Sequence, residues 1–441
     1  MQKIIVIGAS AASIGFITKL RSFDQQSQII CFSGESFLPY NRCLLADFLT
    51  GEQNCEQLQL KPQDFFQKNN VDLRLNAWVT RIDAGNKKVL VEMDPRLPPT
   101  HLAMADSDAL CPPKLLSEGW KNEGKVKFSV DCEIKTQAWY PYDYLFLGMG
   151  TRPVTPKFMQ NLKLQGLFNF HTLQDMYHIK NFIADHQPKT AVVIGAGLNG
   201  IEAASSLVDL GLSVTVIEAC DTILPGQVDD QVADWICERM QVAGVRVLTG
   251  SCVVELGQKD GNIASVHLNN GSIIPTSMVV VAVGSRVNSD LLHDSGIALS
   301  DRSVLADRHL RTNLEGILAG GDVCAVPDMI SGALVRSTTW SDAMLQGLCA
   351  ATNLSATPRA YPGMLGLRDS YFFGLYFYGC GLTVRHDSDV QMVLKIDGQS
   401  LKKFFLRGEQ LIGFVLLGDV SGLAEYKMWY ATCQKVQKLD F

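Results

Sequence analysis

The chain has 441 residues, 47% hydrophobic and 19% charged, with a formal net charge of -6 at pH 7; it is long enough for two or three domains and is not linker-like. No block of consecutive Lys or Arg tracks a phosphate backbone or an anionic bilayer, and no apolar run reaches bilayer length, so neither nucleic acid nor a membrane is an expected partner. Twelve cysteines stand singly, without a C-x-x-C pair or a Cys/His cluster at zinc spacing; this predicts mostly buried thiols in a reducing cytoplasm, no disulfide framework and no metal.

The opening "MQKIIVIGAS" reads as a buried strand running into a turn and leaves no room for a signal peptide. "KIIVIGASAASIGFITKL" joins an apolar β-branched run to a small-residue turn and helical periodicity, and "TAVVIGAGLNGIEAASSLVDLGLSVTVIEA", from Thr190 to Ala219, repeats the pattern: a βαβ unit written twice. In the first copy Gly8 keeps its place, but Ser10 and Ser13 stand where two further glycines would be. Ser13 should hold the helix slightly off the strand, and Ser10 narrows the space for a pyrophosphate while offering it a hydroxyl. The following strand, "QIICF", ends at Ser33 where a ribose-binding carboxylate is expected; either Glu35 reaches back to the ribose or the ribose is held more weakly.

"LPYNRCLLADFLTG" then places Cys43 between a turn and the start of a short amphipathic helix. The helix amides and Arg42 would favour a reactive thiolate; Leu38, Leu44, Leu45 and Phe48 could instead enclose it as packing, and both readings stay open. Residues 92–138, long and Pro-rich, read as a surface excursion, an ordinary loop insertion with a partner site or a lid as the alternatives.

The second copy is the sharper. Gly195, Gly197 and Gly200 form G-x-G-x-x-G between a strand and a helix: one glycine for the tight turn, one for close approach of a pyrophosphate, one for helix–strand packing. Glu218, ending the next strand, can accept from both ribose hydroxyls of an adenosine and would repel a 2'-phosphate. NADH is therefore favoured over NADPH, the alternative being a solvated Glu at a strand end. Three more apolar strands end in small residues: "YDYLFLGMGTRPVTP" (142–156), "MVVVAVGSRVNS" (278–289), which contains Gly284, and "LRTNLEGILAGGDVC" (310–324).

Together these motifs resemble the FAD- and pyridine-nucleotide-dependent disulfide oxidoreductase superfamily. Its A-T-G-x-x-P element corresponds to Gly148, Met149, Gly150, Thr151, Arg152 and Pro153. Its T-x(6)-A-x-G-D element is matched by Thr312, Ala319, Gly321 and Asp322, and the resemblance implies that Asp322 bonds the ribityl chain of FAD. "STTWSDAMLQGLCAATNL" resembles the W-x-x-A-x-x-Q-G stretch of the rubredoxin reductase and nitrite reductase branch, which implies Trp340 near the flavin, the alternative being an ordinary core Trp. The Y-N-R-x-x-L pattern of that branch is met by Tyr40, Asn41, Arg42 and Leu45. Cys43 also aligns with the single redox cysteine of coenzyme A-disulfide reductases and related NADH oxidases and persulfide reductases. Asp47 stands where some ferredoxin-reductase relatives have a Lys. Glu202 lies where the family keeps a Glu facing the nicotinamide, or is a plain helix-surface Glu. There is no C-x(4)-C pair in the first domain and no His-Pro base motif near the C-terminus, which argues against a lipoamide- or glutathione-type mechanism.

The order of motifs implies an α/β chain with two Rossmann-like, three-layer domains, one inserted in the other, plus a small α+β C-terminal domain. The FAD-binding domain would be 1–160 with 277–355, the NAD-binding domain 161–276, and the tail 356–441, with strands at "QMVLKID", "LKKFFLRG" and "QLIGFVLLGD" and a helix at "GLAEYKMWYATCQKV". The expected protein is a cytoplasmic NADH-dependent flavoprotein that passes electrons to a small carrier such as rubredoxin or an iron-sulfur protein. The alternatives are a single-cysteine thiol, persulfide or coenzyme A-disulfide reductase or NADH oxidase using Cys43, and a degenerate nucleotide-binding flavoprotein with a structural or sensing role. The acceptor and the oligomeric state stay open, a homodimer among the possibilities.

Overall fold

The computed structural model describes residues 1–93, 136–384 and 389–436; nearly all of the Pro-rich excursion falls outside the described residues. In chain order the elements used below are β1 (Lys3–Ile7), α1 (Ala11–Arg21), β2 (Gln28–Phe32), α2 (Leu45–Thr50), β3 (Val71–Arg74), β4 (Tyr144–Leu147), β5 (Leu167–Asn169), α3 (Leu173–His186), β6 (Thr190–Ile194), α4 (Leu198–Asp209), β7 (Ser213–Ile217), α5 (Asp230–Val242), β8 (Arg246–Leu248), β9 (Val279–Val281), β10 (Ile317–Ala319), α6 (Trp340–Thr352), β11 (Arg368–Phe372), β12 (Leu375–Gly381), β13 (Val390–Asp397), β14 (Ser400–Arg407), β15 (Gln410–Leu417) and α7 (Leu423–Thr432). They group into two compact units: Met1–Asn41, Asn54–Thr151 and Val287–Met364 form the first, and Arg42–Gln53, Arg152–Arg286 and Leu365–Phe441 the second.

The first unit is built on a parallel sheet of order β10-β4-β1-β2-β3. Parallel strands covered on both faces must be apolar along their length, which is why "IIVI" and "YLFL" show no alternation. Ile4, Ile5, Val6, Leu145, Phe146 and Leu147 are all buried. Helices α1 and α6 cross at small residues: a Cβ on Gly347 would lie 1.9 Å from the Ala12 carbonyl oxygen, and one on Gly15 would lie 2.5 Å from that of Met344. Phe16 of α1 stacks on Phe146 of β4 at 4.4 Å between ring centroids. Buried Arg21 closes the other end of α1, donating from Nε to the Asn69 carbonyl (2.6 Å) and from Nη2 to those of Ser27 (2.8 Å) and Asn70 (3.0 Å).

In the second unit the parallel sheet runs β8-β7-β6-β9-β5. With β6 in the place of β1, β7 of β2, β8 of β3 and β9 of β4, the two sheets have the same strand order, the third strand outermost and the first central, as in mononucleotide-binding halves. The same unit holds an antiparallel sheet of order β11-β12-β15-β14-β13, with Tyr426 of α7 packed edge-on against Phe404 at 4.9 Å. The sequence pattern predicted β13, β14, β15 and α7; the β11–β12 hairpin was not read, because paired Phe372 and Phe373 break its alternation. This segment is fastened inside its unit: the Phe373 amide donates to Ser205 Oγ (2.9 Å), Thr383 Oγ1 to the Gln227 carbonyl (2.5 Å), and buried Lys403 pairs with Asp229 (2.5 Å) and Gln231 (2.8 Å).

The expectation of mostly buried thiols is corrected. Of the ten described cysteines only Cys31, Cys324, Cys349 and Cys380 are buried, while Cys43, Cys220, Cys252 and Cys433 are exposed. The buried four lie in strands or in α6, and the exposed four in turns or at strand and helix ends, where the chain leaves the core.

Gly347→Ala should force α1 and α6 apart and destabilise the chain by about 1–3 kcal/mol, read as a lowered thermal midpoint. A midpoint equal to that of the unmodified protein would contradict the close crossing.

Candidate functional site

Each parallel sheet ends in a turn of the same construction. Gly8 and Gly195 have φ of +91° and +102°, a backbone region that side chains avoid. A Cβ on Gly8 would lie 2.4 Å from the Gly148 carbonyl oxygen, and one on Gly195 would lie 2.4 Å from that of Ala282. The amides match as well: Gly8 donates to Phe32 O (2.8 Å) and Gly195 to Ile217 O (2.8 Å), while Gly148 donates to Ile7 O (2.9 Å) and Ala282 to Ile194 O (2.8 Å). The turns deliver the chain to the N-termini of α1 and α4, whose N-cap residues, Ser10 and Gly197, make no side-chain cap bond and whose first turns hold no acidic residue. By contrast α3, α5 and α6 start on Thr172, Asp229 and Thr339, each accepting from its own helix. Two uncapped, positively polarised helix ends behind glycine turns can each hold a pyrophosphate.

The two copies differ at the third small residue. A Cβ on Gly200 would sit 2.0 Å from the Gly195 carbonyl oxygen. Ser13 takes that place in the first copy and is fully buried, and the room for its hydroxyl comes from Gly148, where a Cβ would lie 2.3 Å from Ser13 Oγ. The hydroxyl is thus accommodated by a glycine where the second copy has Ala282. Ser13 Oγ has no hydrogen-bond partner among the described residues.

They differ also at the end of the following strand. Glu218 is not a solvated strand-end carboxylate: it is 8% exposed, and its oxygens accept from the amides of Ala196 (2.7 Å) and Cys220 (2.9 Å). It therefore fixes the glycine turn and keeps lone pairs for further donors. Ser33 occupies the same place in the first copy: its amide donates to Arg74 O (2.8 Å) as that of Glu218 does to Leu248 O (2.9 Å), and its hydroxyl accepts from the Glu35 amide (3.2 Å). The Glu35 carboxylate accepts from Tyr40 OH at 2.7 Å.

The remaining small-residue turns fall within these frames. Gly321 (φ +81°) lies against the first turn of α1, where a Cβ would meet that of Ala12 at 3.0 Å, and half-buried Asp322 follows it. The Gly321 amide donates to Gln346 Oε1 at 2.7 Å; Gln346 Nε2 donates to Ser337 Oγ (3.0 Å), and Tyr361 OH to Asp342 (3.2 Å). Gln346, Ser337 and Asp342 are nearly or fully buried, so this network fixes the turn from beneath. Gln346 had been read only as part of a motif. Trp340, half-buried, packs against the core of the first unit. The Gly150 carbonyl accepts from the Asn288 amide (3.1 Å), that of Gly284 accepts from the Val154 amide (3.0 Å), and Thr151 and Arg152 are half-buried.

In the second unit Glu202, on α4, is partly buried and accepts from Ser370 Oγ of β11 at 2.6 Å, so it is not a plain surface Glu. Burial pushes its carboxyl up to about 7, with Asp369 and Asp47 adding to the rise and the Ser370 bond opposing it. Asp369 and Asp47 are themselves raised by burial. Lys180 of α3, lowered by burial, donates to the Phe48 carbonyl (2.8 Å) and sits over its ring at 4.6 Å. Cys43 lies in the 3-10 turn Arg42–Leu44 before α2 and is exposed, so the apolar residues around it do not enclose it. Arg42 donates from Nη1 to the His171 carbonyl (2.8 Å). No cluster of metal-ligating side chains occurs among the described residues, and none of their helices is long and apolar enough to cross a membrane.

The chain matches the family model for pyridine nucleotide-disulphide oxidoreductases over residues 2–347 and belongs to that family. It is 26% identical over 416 residues to the epsilon subunit of the NADH-dependent phenylglyoxylate dehydrogenase of Aromatoleum evansii, covering 93% of this chain and 87% of that one. It is 25% identical over 362 residues to a rubredoxin-NAD(+) reductase of Pseudomonas putida, covering 81% of each. Among solved structures, the NAD-dependent persulfide reductase from A. fulgidus shares the fold with a TM-score of 0.82 at 21% identity, over 98% of this chain and 77% of that one.

The folded protein holds the Glu202 proton more tightly than the unfolded chain, whose carboxyl titrates near 4.5, so this group's stabilising contribution falls as pH rises from there to about 7. The difference is on the order of 3 kcal/mol. Glu202→Gln should flatten that part of the stability–pH curve, measured by thermal unfolding across the interval. An unchanged slope would contradict the burial of this carboxyl.

Proposed function

We propose that the chain is an NADH-dependent FAD flavoprotein that hands electrons to a small redox carrier of rubredoxin or iron-sulfur type in the cytoplasm. The observation that carries the reading is the doubled turn: two glycine-hinged, uncapped helix N-termini on sheets of the same order, one with a buried carboxylate at the ribose position and one with Ser33. A reader of NADH needs that carboxylate. The first unit fits FAD, since Gly148 makes room for Ser13 and the Gln346 network fixes the turn at Gly321 and Asp322. That fit weighs against a degenerate, purely structural nucleotide site.

When bound, FAD supplies the acceptor that takes hydride from NADH at N5 and gives electrons onward. In this reading the amides at the start of α1 hold its pyrophosphate, Asp322 its ribityl chain, and Gly195, Gly197 and Glu218 the adenosine end of NADH. Glu202, titrating near neutrality, presents a carboxyl that is neutral in part to the nicotinamide. The likeness to the Pseudomonas rubredoxin-NAD(+) reductase supports a carrier as acceptor. A second reading, reduction of a disulfide or persulfide through Cys43, gains from the exposure of that thiol.

The protein should prefer NADH over NADPH by on the order of tenfold or more, and Glu218→Ala should narrow the preference. Equal rates with both would show that Glu218 does not meet the ribose. Rubredoxin and a small ferredoxin should be reduced as well by Cys43→Ser as by the unmodified protein. Activity confined to a disulfide or persulfide, and lost in Cys43→Ser, would replace the carrier reading with the thiol reading.

A further inference from the structure

Beyond Glu218 the chain turns through Cys220 beside the turn that follows β8. Three backbone bonds tie the two segments: Glu218 N–H to Leu248 O (2.9 Å), Ser251 N–H to Glu218 O (3.0 Å) and Gly250 N–H to Cys220 O (2.8 Å). Cys252 follows Ser251 directly, and its own turn is closed on Asn269, whose side chain accepts the Cys252 amide (3.1 Å) and whose amide donates to the Cys252 carbonyl (2.9 Å). Both cysteines are exposed. Two accessible thiols therefore stand on adjacent, cross-bonded turns, and neither has a part in the proposed electron transfer.

Cys220 is coupled to Glu218, the proposed ribose ligand, through its main chain and through the carboxylate's charge. Its amide donates to Glu218 Oε1 at 2.9 Å. The Glu218 charge, the largest influence on it, raises the Cys220 thiol above its ordinary value and keeps it protonated, and the nearby Cys252 adds to the rise. The other oxygen of Glu218 holds the Ala196 amide of the glycine turn.

We propose that Cys220 and Cys252 form an oxidisable dithiol at the adenosine end of the dinucleotide site, and that its closure to a disulfide weakens NADH binding. This rests on the reading of Glu218 as the ribose ligand. The oxidant is a low-molecular-weight disulfide. The Cys252 thiolate attacks one of its sulfurs, forming a mixed disulfide and expelling one thiolate. Cys220 then gives up its proton, attacks the Cys252 sulfur and expels the other. The two protons given up by the cysteines end on the two small thiols released, so the protein is oxidised by one electron pair and the small disulfide is reduced by the same pair. Drawing Cys220 toward Cys252 pulls on the amide that Glu218 accepts and disturbs the carboxylate that fixes the glycine turn.

The test uses the full chain treated with oxidised glutathione, peptide mapping without reduction, and fluorescence titration with NADH. The expected result is a Cys220–Cys252 linkage, a Kd for NADH raised about fivefold or more, recovery with dithiothreitol, and no change of Kd in Cys252→Ser after the same treatment. Separate glutathione adducts without the linkage would overturn the proposal, and so would a linkage that leaves the Kd unchanged. Reduced Glu218→Ala separates the two readings. If it binds NADH more weakly while the linkage has no effect, the dithiol coupling alone fails; if it binds NADH as tightly as the unmodified protein, the ribose reading of Glu218 fails and takes the coupling with it.

Discussion

The arrangement depends on a close approach made twice: at the end of the central strand of each parallel sheet, a glycine in the left-handed region lets the backbone pass the carbonyl at the end of the neighbouring strand. A side chain at Gly8 or Gly195 would collide with main chain, which cannot move aside without opening the sheet. Because the turn is that tight, the following helix starts directly over the strand ends with its amides bare. From this one constraint follow a helix start able to hold an anion in each copy and a fixed place, at the end of the next strand, for the residue proposed to meet the ribose.

The copies have then diverged within one frame. In the second, the Glu218 carboxylate has become structural as well as available for recognition, since it holds the Ala196 amide. In the first, serines replace two glycines and the carboxylate, and the compensation comes from elsewhere in the same unit: Gly148 beneath Ser13, Tyr40 on Glu35, and a buried Gln346 under the turn at Gly321. The second unit also carries the antiparallel C-terminal sheet, whose Ser370 meets Glu202 on α4. Burial of the Glu202 carboxyl, with Asp369 and Asp47 adding to its effect and the Ser370 bond opposing it, turns an ordinary helix Glu into a group that titrates near neutrality.

What could be read from sequence was local. The glycine turns, their flanking strands and the ribose position are written within about thirty residues of one another, a span over which spacing fixes geometry. The room that Ser13 needs could not be read, because it lies at Gly148, at the end of a strand that meets β1 only in the folded sheet. Glu202 could be placed on its helix but not valued, since Ser370 is 168 residues away. Cys43 was weighed against leucines adjacent in sequence, yet a 3-10 turn leaves it exposed. The β11–β12 hairpin escaped because its consecutive phenylalanines hide the alternation by which half-buried strands are recognised.

The central claim is that the two turns serve two different dinucleotides in one electron path. Anaerobic titration of the FAD-reconstituted protein with NADH, followed through the flavin absorbance, tests it most directly. Stoichiometric bleaching by NADH, and much weaker bleaching by NADPH, is the predicted result. A protein that cannot be loaded with FAD, or whose bound flavin stays oxidised under excess NADH, would contradict it.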